Sequence, residues 1–146
     1  MASRPLHDVG YASGVFDLFH VGHLNLLRHA RALCRHLVVG VAADEYVLDL
    51  KGRRPVAPLH ERLAIVEAVR LVDEVVVDFS SDKSLAWRRR RFDVVVKGDD
   101  WRGTAHGDRL ESDMAALGVA VVWVPYTRTT SSTLLRRHLE RTAGRA

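Results

Sequence analysis

Apolar residues along this chain fall into two kinds of run. Five are short and rich in β-branched residues: Val9 to Ser13, His36 to Ala42, Glu74 to Phe79, Asp93 to Lys97 and Val119 to Val124. The last four contain consecutive valines, a pattern typical of strands covered on both faces. Between the runs, apolar positions recur at spacings of three and four. His23 to Cys34 turns Leu24, Leu27, Ala30 and Leu33 or Cys34 to one side, and Leu59 to Val69 does the same with Leu63, Val66 and Val69 or Arg70. Ser84 to Arg91, Asp108 to Leu117 and Ser131 to Arg141 complete the helical set. Strand followed by helix, five times over, predicts an α/β chain with crossover helices on a parallel sheet. No long linker, repeat or low-complexity tract interrupts it. The expectation is one Rossmann-like, doubly wound, five-stranded parallel sheet. It would form a single domain over residues 1–146 with its core from about residue 9 to 141.

Composition narrows this picture without changing it. A chain of 146 residues fits one domain, and 47% hydrophobic with 27% charged residues excludes a disordered tail or a collagen-like repeat. Lys and Arg number 22 against 18 Asp and Glu, a formal charge of +4. That excess is modest. Arg88 to Arg91 are adjacent on a short predicted helix, point in several directions and read as a solvated face rather than a nucleic-acid patch. The lone Cys34 excludes an intrachain disulfide and suits a reducing compartment. The opening MASRPLHDVG lacks the apolar stretch of a signal peptide, and no apolar run approaches the ~20 residues needed to span a bilayer. A cytoplasmic protein with neither membrane nor nucleic-acid partners is expected.

In doubly wound sheets ligands bind outside the carboxyl ends of the strands, where strand order reverses. The first such loop runs from Gly14 to His23 and leads into a helix. His20 and His23 are three apart, so both lie on one face of the first helical turn. Free N–H groups and the helix dipole favour an anion there, and Gly22 lets a phosphate approach the backbone. Taken alone, each histidine could be a capping or surface residue. A zinc pair lacks the third and fourth ligands that a metal site needs, so no protein metal site is expected. Neither G-x-G-x-x-G nor a P-loop occurs. Near the far end Ser131, Ser132 and Thr133 precede the last helix, which serves equally as an N-cap and as a phosphate cradle.

The loop resembles the G-x-F-D-x-x-H-x-G-H signature of the cytidylyltransferase-like nucleotidyltransferases through Gly14, Phe16, Asp17, His20, Gly22 and His23. Further motifs follow in the family's order. Lys51 to Arg62 looks like its Lys-bearing loop leading into a helix, followed by Arg70 and Val72-Asp73-Glu74. Lys97-Gly98-Asp99-Asp100-Trp101 carries the G-D-D-W of the glycerol-3-phosphate cytidylyltransferase branch. Arg128 to Thr133 looks like R-T-x-x-x-S-T-T. The likeness extends from about Val9 to the last helix. Val15 stands where that branch has Thr, Tyr126 where it has Arg, and Phe79 to Arg91 is shorter than its equivalent. Arg53 to Arg62 also resembles the R-P-V-x-P-x-x-x-R of the domain that makes ADP-heptose, which keeps adenylyl transfer open.

The reaction implied is transfer of CMP from CTP to a phosphorylated alcohol, glycerol 3-phosphate favoured, with release of pyrophosphate. The alternatives are adenylyl transfer from ATP to a sugar phosphate or other phosphate, and a non-catalytic nucleotide-binding module. The resemblance implies catalytic roles for His20, His23, Lys51 and Arg128. It assigns nucleotide binding to Gly14, Phe16, Asp17, Gly22, Arg70, Gly98, Asp99, Ser131, Ser132 and Thr133. Acceptor binding falls to Asp44, Arg53, Arg62, Asp100 and Trp101. Mg²⁺ would arrive on the triphosphate, and a homodimer is implied by the resemblance alone.

Overall fold

A computed structural model describes residues 3–127 and 130–144. The strands are β1 (His7–Gly14), β2 (Cys34–Ala42), β3 (Glu74–Asp78), β4 (Val94–Gly98) and β5 (Ala120–Val124). The helices are α1 (Val21–Leu33), α2 (Asp44–Lys51), α3 (Leu59–Glu67), α4 (Lys83–Arg89), α5 (Ala105–Ala116) and α6 (Ser132–Ala143). A 3₁₀ turn, Asp99–Trp101, follows β4. All strand pairs are parallel, in the order β3-β2-β1-β4-β5. Strand order therefore reverses between β1 and β4. The five expected strands are all present, displaced at their ends by no more than two residues.

Side-chain alternation along the strands separates two cores. Ala12, Val39, Val41, Val94 and Val96 pack with Leu27 and Ala30 of α1 and Val66 of α3. Tyr11, Val38 and Val95 pack on the opposite face with Leu110 and Met114 of α5 and Trp87 of α4. A valine run is thus buried from both sides, which explains why it lacks polar alternation.

Helix α2 corrects the sequence reading, which had a Lys-bearing loop after β2. Asp44 and Glu45 occupy its first turn and Lys51 its last, while Gly52 takes the left-handed conformation (φ 73°) that ends it. Lys51 is therefore held on a helix rather than on a free loop. The Arg88–Arg91 tract is largely partnered: Arg90 pairs with Glu74, Arg89 lies on the Phe79 ring and Arg91 on the Trp87 ring. Among the described residues no helix is long and apolar enough to cross a membrane.

Candidate active site

A cleft of about 260 Å³ opens at the carboxyl edge of the sheet, where β1 and β4 diverge. His20, Gly22 and His23 at the start of α1 line it, with Ser131, Ser132 and Thr133 at the start of α6. Two helix N-termini thus share one cavity, and each favours anionic oxygen.

The loop after β1 is shaped by unusual backbone. Phe16 and Leu18 have positive φ of 54° and 49°, a conformation that costs a non-glycine residue about 1–3 kcal/mol. Burial of the Phe16 ring offsets this cost: it is 1% exposed and lies 5.4 Å from the His23 ring. Asp17 locks the loop from below. Its two carboxylate oxygens accept the N–H groups of Val56 and Ala57 at 2.8 and 3.0 Å, so Asp17 orders the loop. The Ser132 hydroxyl donates to the Asp17 carbonyl at 2.5 Å, and the Asn25 amide donates to the Thr127 hydroxyl at 3.1 Å. These bonds fasten the Ser/Thr segment to the histidine loop.

The two histidines also cap their own helix. The Gly22 N–H donates to His20 Nδ1 at 3.0 Å, and the His20 N–H donates to His23 Nδ1 at 3.1 Å. Each Nδ1 is therefore an acceptor, and a neutral ring so engaged carries its proton on Nε2. Burial lowers the His20 pKa. Burial, with the neighbouring His20 charge, lowers that of His23 to about 3. Both rings are neutral Nε2–H donors at neutral pH. A Cβ on Gly22 would lie 2.7 Å from His20 Cε1, so glycine is what lets the imidazole fold onto the helix start.

Positive charge dominates the remaining lining. Lys51, Arg53, Arg54, Lys83, Lys97 and Arg136 stand against Asp17, Asp78 and Asp100. Asp17 is committed to backbone N–H groups, and Asp78 is paired with the buried Lys83 at 2.5 Å. Burial and the charges of Arg53 and Arg136 lower the Lys51 pKa. Among the described residues no three His, Cys, Asp or Glu side chains group to hold a metal ion.

Of the residues singled out in the sequence, His20, His23, Lys51, Gly14, Phe16, Asp17, Gly22, Gly98, Ser131, Ser132, Thr133, Arg53, Asp100 and Trp101 all line this cleft. Four others do not. Arg70 is exposed in the turn after α3. Asp99 is exposed and accepts the Tyr126 N–H at 3.0 Å, which ties the β4 and β5 loops together. Arg62 is fully buried and donates to the carbonyls of Val15, Ala42 and Ala57 and to Asp44. Asp44 is committed to Arg62 and to the Leu59 N–H. Both are structural in this arrangement, because their polar groups face protein. Arg128 lies outside the described residues.

The cleft also contains Tyr46, Asp78, Lys83, Lys97 and Arg136, which sequence reasoning missed. Lys97 carried a signal: it follows three valines in a doubly covered strand, where a lysine is out of place unless it faces a cavity.

The description "Cytidylyltransferase-like" belongs to the family whose profile matches residues 11–138. An FAD synthase from Thermococcus onnurineus is 36% identical over 137 residues, covering 88% of this chain and 89% of that protein. An ethanolamine-phosphate cytidylyltransferase from Arabidopsis thaliana is 45% identical over 95 residues, 62% of this chain. The match spans only 22% of that longer relative. Among solved structures, the lipopolysaccharide core biosynthesis protein from Thermoplasma volcanium GSS1 superposes with a TM-score of 0.69 at 26% identity, covering 85% of this chain and 99% of its own.

Proposed function

The chain belongs to the cytidylyltransferase-like family, and on that premise we propose that it transfers CMP from CTP to the phosphate of a small alcohol, with glycerol 3-phosphate the favoured acceptor. The observation that carries this reading is the pair of imidazoles in a cationic cleft whose Nδ1 atoms are occupied and whose Nε2–H groups have no partner among the described residues.

An acceptor phosphate oxygen attacks the α-phosphorus, the bond to the bridging α–β oxygen breaks, and pyrophosphate leaves. The triphosphate carries about four negative charges and the phosphomonoester nearly two, so charge is the first obstacle. His23 would donate to the α-phosphate and His20, beside it, to the leaving group. Neutral donors suit this task because they strengthen as charge shifts outward without trapping the ground state. Lys51, with Arg53, would neutralise the bridging and β/γ oxygens, and the start of α6 would hold the β/γ phosphates. Mg²⁺ would travel with the triphosphate. The nucleophile is already anionic and needs no general base. The G-D-D-W loop supports CTP and glycerol 3-phosphate. ATP is the second reading, favoured by the end-to-end match to an FAD synthase.

The test is pyrophosphate release with CTP or ATP, crossed against glycerol 3-phosphate, other polyol and sugar phosphates, phosphocholine and phosphoethanolamine. His20→Ser keeps a capping oxygen but removes the imidazole donor. It should lower turnover by about 10²–10³ while nucleotide binding persists. Equal turnover in His20→Ser and wild type refutes the assigned role. Nucleotide binding with no turnover on any acceptor favours the binding module.

A further inference from the structure

The part of the cleft at the end of β4 has its own chemistry. Lys97 reaches into it from the end of β4. Its ammonium lies 4.0 Å from the centre of the Trp101 ring and makes one long hydrogen bond, 3.5 Å, to the Ser13 carbonyl. It forms no ion pair among the described residues: the nearby Asp78 is taken by Lys83, and Asp100, whose charge does act on Lys97, stands beyond ion-pair distance. Beside it the Ser13 hydroxyl is buried, 3% exposed, lines the same cleft and has no hydrogen-bond partner among the described residues. Burial, together with the Lys83 charge, lowers the Lys97 pKa to about 8. A buried hydroxyl without a partner and a half-buried cation without an ion pair among the described residues are both groups that a ligand would satisfy.

We propose that Lys97 and Ser13 form the subsite for the acceptor's tail and select tails bearing hydroxyl or anionic oxygens over tails bearing an amine. This rests on the nucleotidyl-transfer reading and names the substrate class of that same cleft. Lys97 offers donors only, so it matches lone pairs on polyol oxygens, while Ser13 both donates and accepts. An ethanolamine ammonium placed there would meet Lys97 as a like charge in a poorly solvated pocket. Selection of this kind combines an attractive contact with a repulsive one. It separates this chain from the specificity named for its Arabidopsis relative.

The probes are glycerol 3-phosphate and phosphoethanolamine, each measured twice. One measurement is steady-state pyrophosphate release with CTP and with ATP. The other is calorimetric titration into protein saturated with CMP or AMP. Wild type should prefer glycerol 3-phosphate by at least about tenfold, and Lys97→Ala should raise its KM or Kd about tenfold, the loss of one charge-assisted hydrogen bond. The nucleotide KM should change less than the acceptor's, because Lys97 contacts the Trp101 ring and the Ser13 carbonyl rather than the groups assigned to the triphosphate. Lys97→Glu should invert the preference toward phosphoethanolamine. Circular dichroism establishes that each variant is folded, and Lys97→Gln supplies an uncharged side chain of similar length if alanine unfolds. Equal or better use of phosphoethanolamine by wild type overturns the proposal. So does a Lys97→Ala defect confined to the nucleotide. If neither probe releases pyrophosphate, the functional reading fails, and the titrations alone decide the subsite. Preferential binding of glycerol 3-phosphate lost in Lys97→Ala upholds it, and indifference overturns it.

Discussion

Replacing Arg62 separates a structural role from a ligand-binding one more sharply than any other single change. Its guanidinium is fully buried and donates at 2.7–2.9 Å to the carbonyls of Val15, Ala42 and Ala57, and at 2.5 Å to Asp44. Those partners belong to the loop after β1, the end of β2, the segment before α3 and the start of α2. One side chain therefore joins four pieces of the cleft's rim. Arg62→Met preserves length and apolar volume but leaves three carbonyls and a carboxylate without their donor. Removing one partner of a buried pair costs about 3–5 kcal/mol, and the carbonyls, some reaching water after relaxation, overlap with that figure. A loss of about 4 kcal/mol is expected. At roughly 2–4 °C per kcal/mol for a chain of this size, the melting temperature should fall by about 8–16 °C. The assay is urea unfolding with the slope held free, so that a change in midpoint is read as stability. Arg62→Lys, which keeps the charge but not the fork of donors, should fall between wild type and methionine. An Arg62→Met protein with the wild-type midpoint and a weakened acceptor KM would refute this account and return Arg62 to the binding surface.

Two further changes probe other parts of the molecule. The folded-state pKa of His23 is about 3, against an ordinary value of 6.5, so the unfolded chain takes up this proton first as pH falls. Its contribution is complete above about pH 6.5 and declines toward pH 3, with about 2 kcal/mol lost by pH 5. Stability curves of wild type and His23→Gln should converge over that interval, and parallel curves would contradict the assignment. The Tyr11 hydroxyl is buried with no hydrogen-bond partner among the described residues, so Tyr11→Phe should leave stability unchanged or raise it by up to about 1 kcal/mol. A measured loss larger than that in chemical denaturation would reveal a partner.

The parallel sheet was legible because its valine runs are long enough to read as doubly covered strands, and because α1, α3 and α5 keep an apolar side. Helix α2 was not. Its apolar positions, Val47, Leu48 and Leu50, do not form a stripe, and only Val47 is buried. Its acidic first turn, terminal lysine and following Gly52 were the available signals. The histidine loop was legible as part of the cleft, since it follows the first strand and leads into a helix start at the carboxyl edge of the sheet. Asp44 and Arg62 were misplaced for a physical reason. A charged residue near a motif looks the same in sequence whether it faces solvent, ligand or the core, and only the carbonyls of Val15, Ala42 and Ala57 reveal where Arg62 points. Lys97 shows the converse, a cation inside an apolar run whose meaning depends on the cavity beside it.

The reciprocal bonds between His20 and His23 at the start of α1 have an evolutionary corollary. The same two rings begin the helix and line the cleft, so a change at either position is felt by the helix as well as by the cleft. A drifting descendant that loses one imidazole also loses a helix cap, at about 1 kcal/mol, and must recover it with Ser, Thr, Asp or Asn. Those residues restore the helix without restoring the ring. The path from this architecture to one with a single ring would therefore leave a recognisable trace, a short polar cap where an imidazole stood. This chain retains both rings.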